Sequence, residues 1–98
     1  MNVNIEAIHF SPKASLEEFI QKKISKLEQY SDKITSADVE LKVVKPETSN
    51  NKEVQIKVAM PNETLVSNKV ADTFEGAFDE AMEAMIRQIQ KAKEKNAK

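Results

Sequence analysis

Residues 37–60 read ADVELKVVKPETSNNKEVQIKVAM. Two runs of strict alternation flank a turn-rich spacer. In the first, Val39, Leu41 and Val43 point one way while Glu40 and Lys42 point the other. In the second, Val54, Ile56 and Val58 form the apolar row. An apolar residue at every second position marks a strand with one face buried and the other in water. The spacer PETSNNK reads as a loop joining an antiparallel pair. A sheet with one apolar face needs a cover on that face alone.

The flanking segments supply the cover. Upstream, Leu16, Phe19, Ile20, Ile24, Leu27 and Tyr30 recur at helical spacing, and this helix is expected to end near 31–33. Ser15 with Glu18 reads as a capping box, and Pro12 keeps the chain before it extended. Downstream, Phe74, Ala77, Phe78, Ala81, Met85, Ile89 and Ala92 form the apolar stripe of a long helix that Asp72 or Thr73 can cap. Gly76 within it costs about 1 kcal/mol against Ala, which points to a close contact there. Met60, Met82 and Met85 read as core filler. Tyr30 can stack on a base; closing the core at the end of the first helix is the reading adopted.

MNVNIEAIHF (1–10) reads as a first strand with Val3, Ile5 and Ala7 inward, a parity that Ile8 and Phe10 break. PNE (61–63) turns into a fourth strand, TLVSNKV (64–70). Its parity is open: either Leu65 and Ser67 face the core, or Val66 and Val70 do. The tail from about residue 94 is expected to fray. The order is β-α-β-β-β-α, an α+β fold with two helices packed on one face of a four-stranded sheet. A right-handed crossover makes strands 1 and 2 parallel, and strands 2, 3 and 4 form an antiparallel meander.

Length and composition bound the function. Ninety-eight residues support a single domain, 1–98. With 40% hydrophobic and 32% charged residues, the chain is globular and heavily solvated rather than disordered. It has no cysteine, hence no disulfide, thiolate metal site or thiol nucleophile. Its single glycine leaves no Gly-rich phosphate loop. The only histidine, His9, sits near a strand end and reads as structural. The carboxylates Glu17 and Glu18 fall on an exposed helix face. No enzyme activity, cofactor, metal or small-molecule substrate is expected. No window approaches a membrane span and no secretory signal is seen, so a cytoplasmic location is expected.

A net charge of −1 gives no global support for nucleic-acid binding, so the arrangement of charge matters. At about 100° per residue from Leu16, Lys22, Lys26 and Lys33 fall between roughly 240° and 280°, and Glu17, Glu28 and Asp32 between roughly 100° and 160°. From Phe74, Arg87, Lys91, Lys95 and Lys98 fall between roughly 220° and 300°, and Glu75, Asp79 and Glu83 between roughly 100° and 180°. Glu80 is the exception, an acid on the basic edge. Helix dipoles account for acid at the start and base at the end of the second helix. Glu83 and Arg87 are spaced for an i,i+4 pair. Neither accounts for segregation by edge, which suits a surface that meets phosphates. The expected topology runs the helices parallel to each other. One basic edge then faces the neighbour's acidic edge and the other faces outward. Lys23 projects toward the apolar stripe and is expected to lie over Phe19 and Tyr30.

The segments KKISKLEQYSDKI (22–34), ADVELKVVK (37–45) and FEGAFDEAMEAMIRQIQKAKEK (74–95) resemble the ribosome hibernation promoting factor family, which includes ribosome-associated inhibitor A. The resemblance covers essentially the whole chain. Its more specific parts are K-x-x-K-L-x-x-Y with a following D-x-I in the first helix, and Ala77, Asp79, Arg87, Gln88, Lys91, Lys93 and Lys95 in the second. Ala84 stands where many members carry lysine. The chain stops where longer members continue, so it resembles a short form. The resemblance implies a ribosome-binding translational silencer. Such proteins occupy the messenger and transfer RNA path at the decoding region of the small ribosomal subunit and preserve inactive ribosomes during starvation. It implies ribosomal RNA contacts by Lys22, Lys23, Lys26, Arg87, Lys91, Lys93 and Lys95, with Lys26 and Arg87 the foremost. The partners implied are the small subunit and its RNA, with a separate ribosome-dimerising factor as a further candidate. The alternatives are a double-stranded RNA-binding domain, since the final β-β-β-α segment looks like half of one, and a small protein-interaction module using the acidic edges.

Overall fold

A computed structural model describes residues 1–44 and 50–95, with Lys95 described by its backbone only. Most of the spacer loop, residues 46–49, and the end of the tail, residues 96–98, lie outside the described residues. The elements are β1 (Asn2–Ala7), α1 (Ala14–Ile24), β2 (Ser36–Val43), β3 (Lys52–Met60), β4 (Glu63–Ala71) and α2 (Phe74–Lys95). The sheet order is β1-β2-β3-β4, with β1 parallel to β2 and the other pairs antiparallel. This is the α+β architecture expected from the alternation and the two amphipathic stripes.

Register turns the alternation into rows across the sheet. Ile5, Val39, Ile56 and Ser67 form one inward row; Val3, Ala37, Val58 and Leu65 form another. Both rows lie under the helices. From α1 come Leu16, Ile20 and Ile24, and from α2 come Phe78, Met85 and Ile89, all buried. The open parity of β4 resolves to Leu65 and Ser67 inward, with Val66 and Val70 exposed at 45% and 41%. A hydroxyl under the helices needs a partner. Ser67 Oγ donates to the Ala81 carbonyl on α2 at 2.9 Å. Gln88 Nε2 donates to the Val66 carbonyl at 2.8 Å, so α2 also covers part of the β4 edge.

Four local expectations change. Helix α1 begins at Ala14 with Lys13 as its N-cap residue and no side-chain cap bond. Leu16 and Glu17 already donate to the Lys13 carbonyl at 3.0 and 3.1 Å. Ser15 therefore sits inside the first turn, and the Ser15–Glu18 capping box is not formed. The helix also tightens into a 3₁₀ turn over Ser25–Gln29, closed by Tyr30 N donating to Leu27 O at 3.0 Å. In 3₁₀ geometry residues three apart eclipse, and Ile24, Leu27 and Tyr30 are three apart. Lys33 lies beyond the helix, in a turn, rather than on its basic edge. Strand β1 ends at Ala7 because His9 takes a left-handed backbone, φ 63°. That turn carries Phe10 onto Phe74, with stacked rings 5.2 Å apart, which explains the broken parity.

At the other helix start, Thr73 rather than Asp72 is the cap. The Gly76 amide donates to Thr73 Oγ1 at 3.0 Å and Ala77 N donates to Thr73 O at 3.0 Å. A Cβ on Gly76 would meet that same hydroxyl at 3.0 Å, so the glycine keeps room for the cap. Gly76→Ala then gains helix propensity, up to about 1 kcal/mol, but disturbs a cap worth about 1 kcal/mol. The expected result is near-neutral stability in the natural chain and a gain of about 0.5–1 kcal/mol when Thr73→Ala has already removed the cap. Urea unfolding of the four chains of this cycle checks it; simple additivity would contradict the shared-hydroxyl account.

Candidate nucleic-acid interface on the helical face

The seven cations named by the resemblance all lie on the helical layer, but in separate groups. Lys22 and Lys23 occupy the last turn of α1. Lys26 follows on the 3₁₀ turn. That turn advances about 120° per residue instead of about 100°, which swings Lys26 away from Lys22 and toward the line of Lys23. Arg87 and Lys91 stand one helical turn apart on α2 and border the same shallow depression as Ala84, Gln88, Gln90 and Glu94. Gln88 reaches the β4 edge, so this group lies on the flank of α2 that borders β4. Lys93 departs from them. It shares a concavity with Tyr30 and Lys33 at the end of the 3₁₀ turn. Lys95 is helical in its backbone.

Lys23, beside the apolar stripe of α1, meets the acidic edge of α2, while Lys22 and Lys26 of the basic edge do not. Lys23 Nζ donates to Asp79 Oδ1 at 2.7 Å. The same ammonium lies 4.6 Å from the Phe19 ring centroid. Phe19 in turn meets Phe78 edge-on at 6.0 Å. Of the expected lie over Phe19 and Tyr30, the contact with Phe19 is present and none with Tyr30 is formed among the described residues. Beside their shared core, the two helices meet through an aromatic pair and an ion pair. The remaining site cations differ from Lys23. Among the described residues, Lys22, Lys26, Arg87, Lys91 and Lys93 are exposed and have no carboxylate within ion-pair distance. The Glu83–Arg87 pair that the spacing allows is not closed.

The opposite sheet face differs in character. Its outward rows carry Glu6, Asp38, Glu40 and Glu53 against Lys42 and Lys57. Glu6 and Glu40 are register partners in the parallel pair. No group of three or more metal-ligating side chains occurs among the described residues. No helix of the described residues is long and apolar enough to cross a membrane.

Comparison with known proteins identifies the family. Residues 3–97 match the family described as Sigma 54 modulation protein / S30EA ribosomal protein. The chain belongs to the S30EA ribosomal protein family. Within it, a Pseudomonas putida protein named ribosome hibernation promoting factor is 30% identical over 95 residues, covering 97% of this chain and 89% of that one. Two solved structures share the S30EA-type fold. A ribosomal subunit interface protein from Coxiella burnetii superposes with a TM-score of 0.83 at 19% identity, covering 95% of this chain and 98% of that one. The Thermus thermophilus Protein Y N-terminal domain gives 0.78 at 18% identity, covering 93% and 98%.

Two features of this surface escaped the reading of the sequence: the Lys23–Asp79 pair, and the meeting of Tyr30, Lys33 and Lys93. The facing of opposite edges hinted at the first. No periodicity signals the second, because Lys33 lies in a turn and Lys93 is 60 positions away. The Lys23–Asp79 pair is part-exposed, 37% and 50% at its side chains, so its stability contribution is under about 1 kcal/mol. Asp79→Asn should therefore shift the urea midpoint little. It should also release Lys23, so that the variant elutes from a heparin column at higher salt than the natural chain. Unchanged elution would show that Asp79 does not hold Lys23 back from polyanions.

Proposed function

We propose that this chain is a ribosome-binding translational silencer that acts by steric occupancy. It sits at the decoding region of the small ribosomal subunit, in the path of messenger RNA and the anticodon ends of transfer RNA, and so preserves inactive ribosomes in starvation. Membership of the S30EA family supports the reading, as does the relative named a ribosome hibernation promoting factor and the fold neighbour named a ribosomal subunit interface protein.

The observation that carries it is the availability of charge. Five cations of the helical layer stand exposed and uncommitted among the described residues. Exposed ion pairs contribute under about 1 kcal/mol, so leaving these cations open costs the fold little. Cations left open toward water gain most from a polyanion, through the release of its counterions. Lys26 and Arg87 are the principal contacts, with Lys22, Lys91, Lys93 and Lys95 beside them. Lys23 joins when a phosphate displaces Asp79. No bond is made or broken in this mechanism, and the ribosome sets a cytoplasmic site of action.

Co-sedimentation with small subunits tests the site. The double variant Lys26→Glu, Arg87→Glu should pellet at least about tenfold more weakly, since two attractive contacts become repulsive. Equal pelleting would sink the assignment. For the natural chain, about five phosphate contacts imply a log–log salt slope on the order of −4. A shallow slope would favour the protein-interaction module, and tight binding to isolated duplex RNA the double-stranded RNA module. Prebound transfer RNA should lower pelleting; indifference to it would remove the steric mechanism while leaving binding in place.

A further inference from the structure

Where the 3₁₀ turn ends beside the C-terminal part of α2, the surface opens into a concavity of ≈ 490 Å³. Tyr30 and Met60 line it, half-buried and packed against the core. Lys33 and Lys93 line it from different elements, both exposed and without an ion-pair partner among the described residues. Lys33 is held by its own turn, its amide donating to Ser31 Oγ at 3.2 Å. Two carboxylates complete the rim. Glu28 is engaged by the Met1 ammonium at 3.9 Å, which leaves Asp32.

An aromatic ring and a thioether beside two ammonium groups form the set that receives a nucleobase and its phosphate. The flat ring offers a stacking surface that tolerates any base, and the lysines meet the backbone. Charge narrows the occupant. Two lysines against two carboxylates give the lining no net charge, which disfavours a free triphosphate and leaves the two ammonium groups to meet a single phosphodiester. We propose that Tyr30, Met60, Lys33 and Lys93 form a seat for one unstacked nucleotide of single-stranded RNA. The seat rests on the ribosome reading for its biological setting, yet its chemistry needs no ribosome.

Tyr30 is the only tyrosine and the chain has no tryptophan, so its emission reports on the seat alone. The whole chain is titrated with a five-nucleotide oligoadenylate, with the same strand lacking its bases, and with ATP. The intact strand should quench Tyr30 saturably. The abasic strand, equal in charge, should bind at least about fivefold more weakly, the loss expected from one missing base stack. ATP should also bind more weakly than the strand. Lys33→Gln with Lys93→Gln keeps the reporter and should weaken strand binding by about tenfold. Absent quenching, equal quenching by the abasic strand, tighter binding of ATP, or an unaffected double variant would each overturn the proposal. Because no ribosome is present, failure here leaves the ribosome reading standing. Failure to pellet with small subunits likewise leaves the seat standing.

Discussion

The sheet has one apolar face, and both helices must use it. Rows such as Ile5, Val39, Ile56 and Ser67 run across all four strands on that side, while the other side is mainly polar, with Val66 and Val70 exposed on it. Sharing one face makes α1 and α2 neighbours and sets which edges meet. Magnitudes show what governs. Each buried Ile, Leu, Val, Phe or Met side chain contributes about 1.5–3 kcal/mol, and Ile20, Ile24, Leu27, Phe78, Met85 and Ile89 are all fully buried. The Lys23–Asp79 pair contributes under about 1 kcal/mol. Packing therefore fixes the helix spacing and rotation, and the ion pair forms because the edges have already been brought together.

Strand β4 shows the same hierarchy from the polar side. Hydrophobicity alone would turn Val66 and Val70 inward, yet Ser67 is buried and both valines are exposed. A one-residue slip would exchange the two faces and move Leu65 into water. The observed register keeps Leu65 in the core and pairs the Ser67 hydroxyl with the Ala81 carbonyl. Gln88 reaches the Val66 carbonyl only when α2 lies over this edge. Register, helix placement and edge cover are one arrangement held by packing and two directed hydrogen bonds.

On this scaffold charge falls into distinct settings. One lysine of α1 is compensated across the helix interface, while Lys22, Lys26, Arg87 and Lys91 remain open. Lys93 belongs with Tyr30 and Lys33 at the far end rather than with its helical neighbours. A surface with open cations in more than one place suits a folded RNA, which presents phosphates and unpaired bases at several angles. The 3₁₀ turn contributes directly, since it re-aims Lys26 and carries Tyr30 to the rim of the concavity.

The order of elements, the one-sided sheet and the stripes of both helices were legible because hydrophobic periodicity is local: each segment declares its own buried side. The candidate cations were legible from their residue types and the family pattern they compose. What lies across from a side chain was not. The Lys23–Asp79 contact, the shared space of Thr73 and Gly76, the inward turn of Ser67 and the meeting of Tyr30 with Lys93 all depend on helix rotation and strand register. Those are fixed by the packing of the whole core, in which residues far apart in the chain compete for the same few ångströms. No local pattern of residues encodes the outcome of that competition.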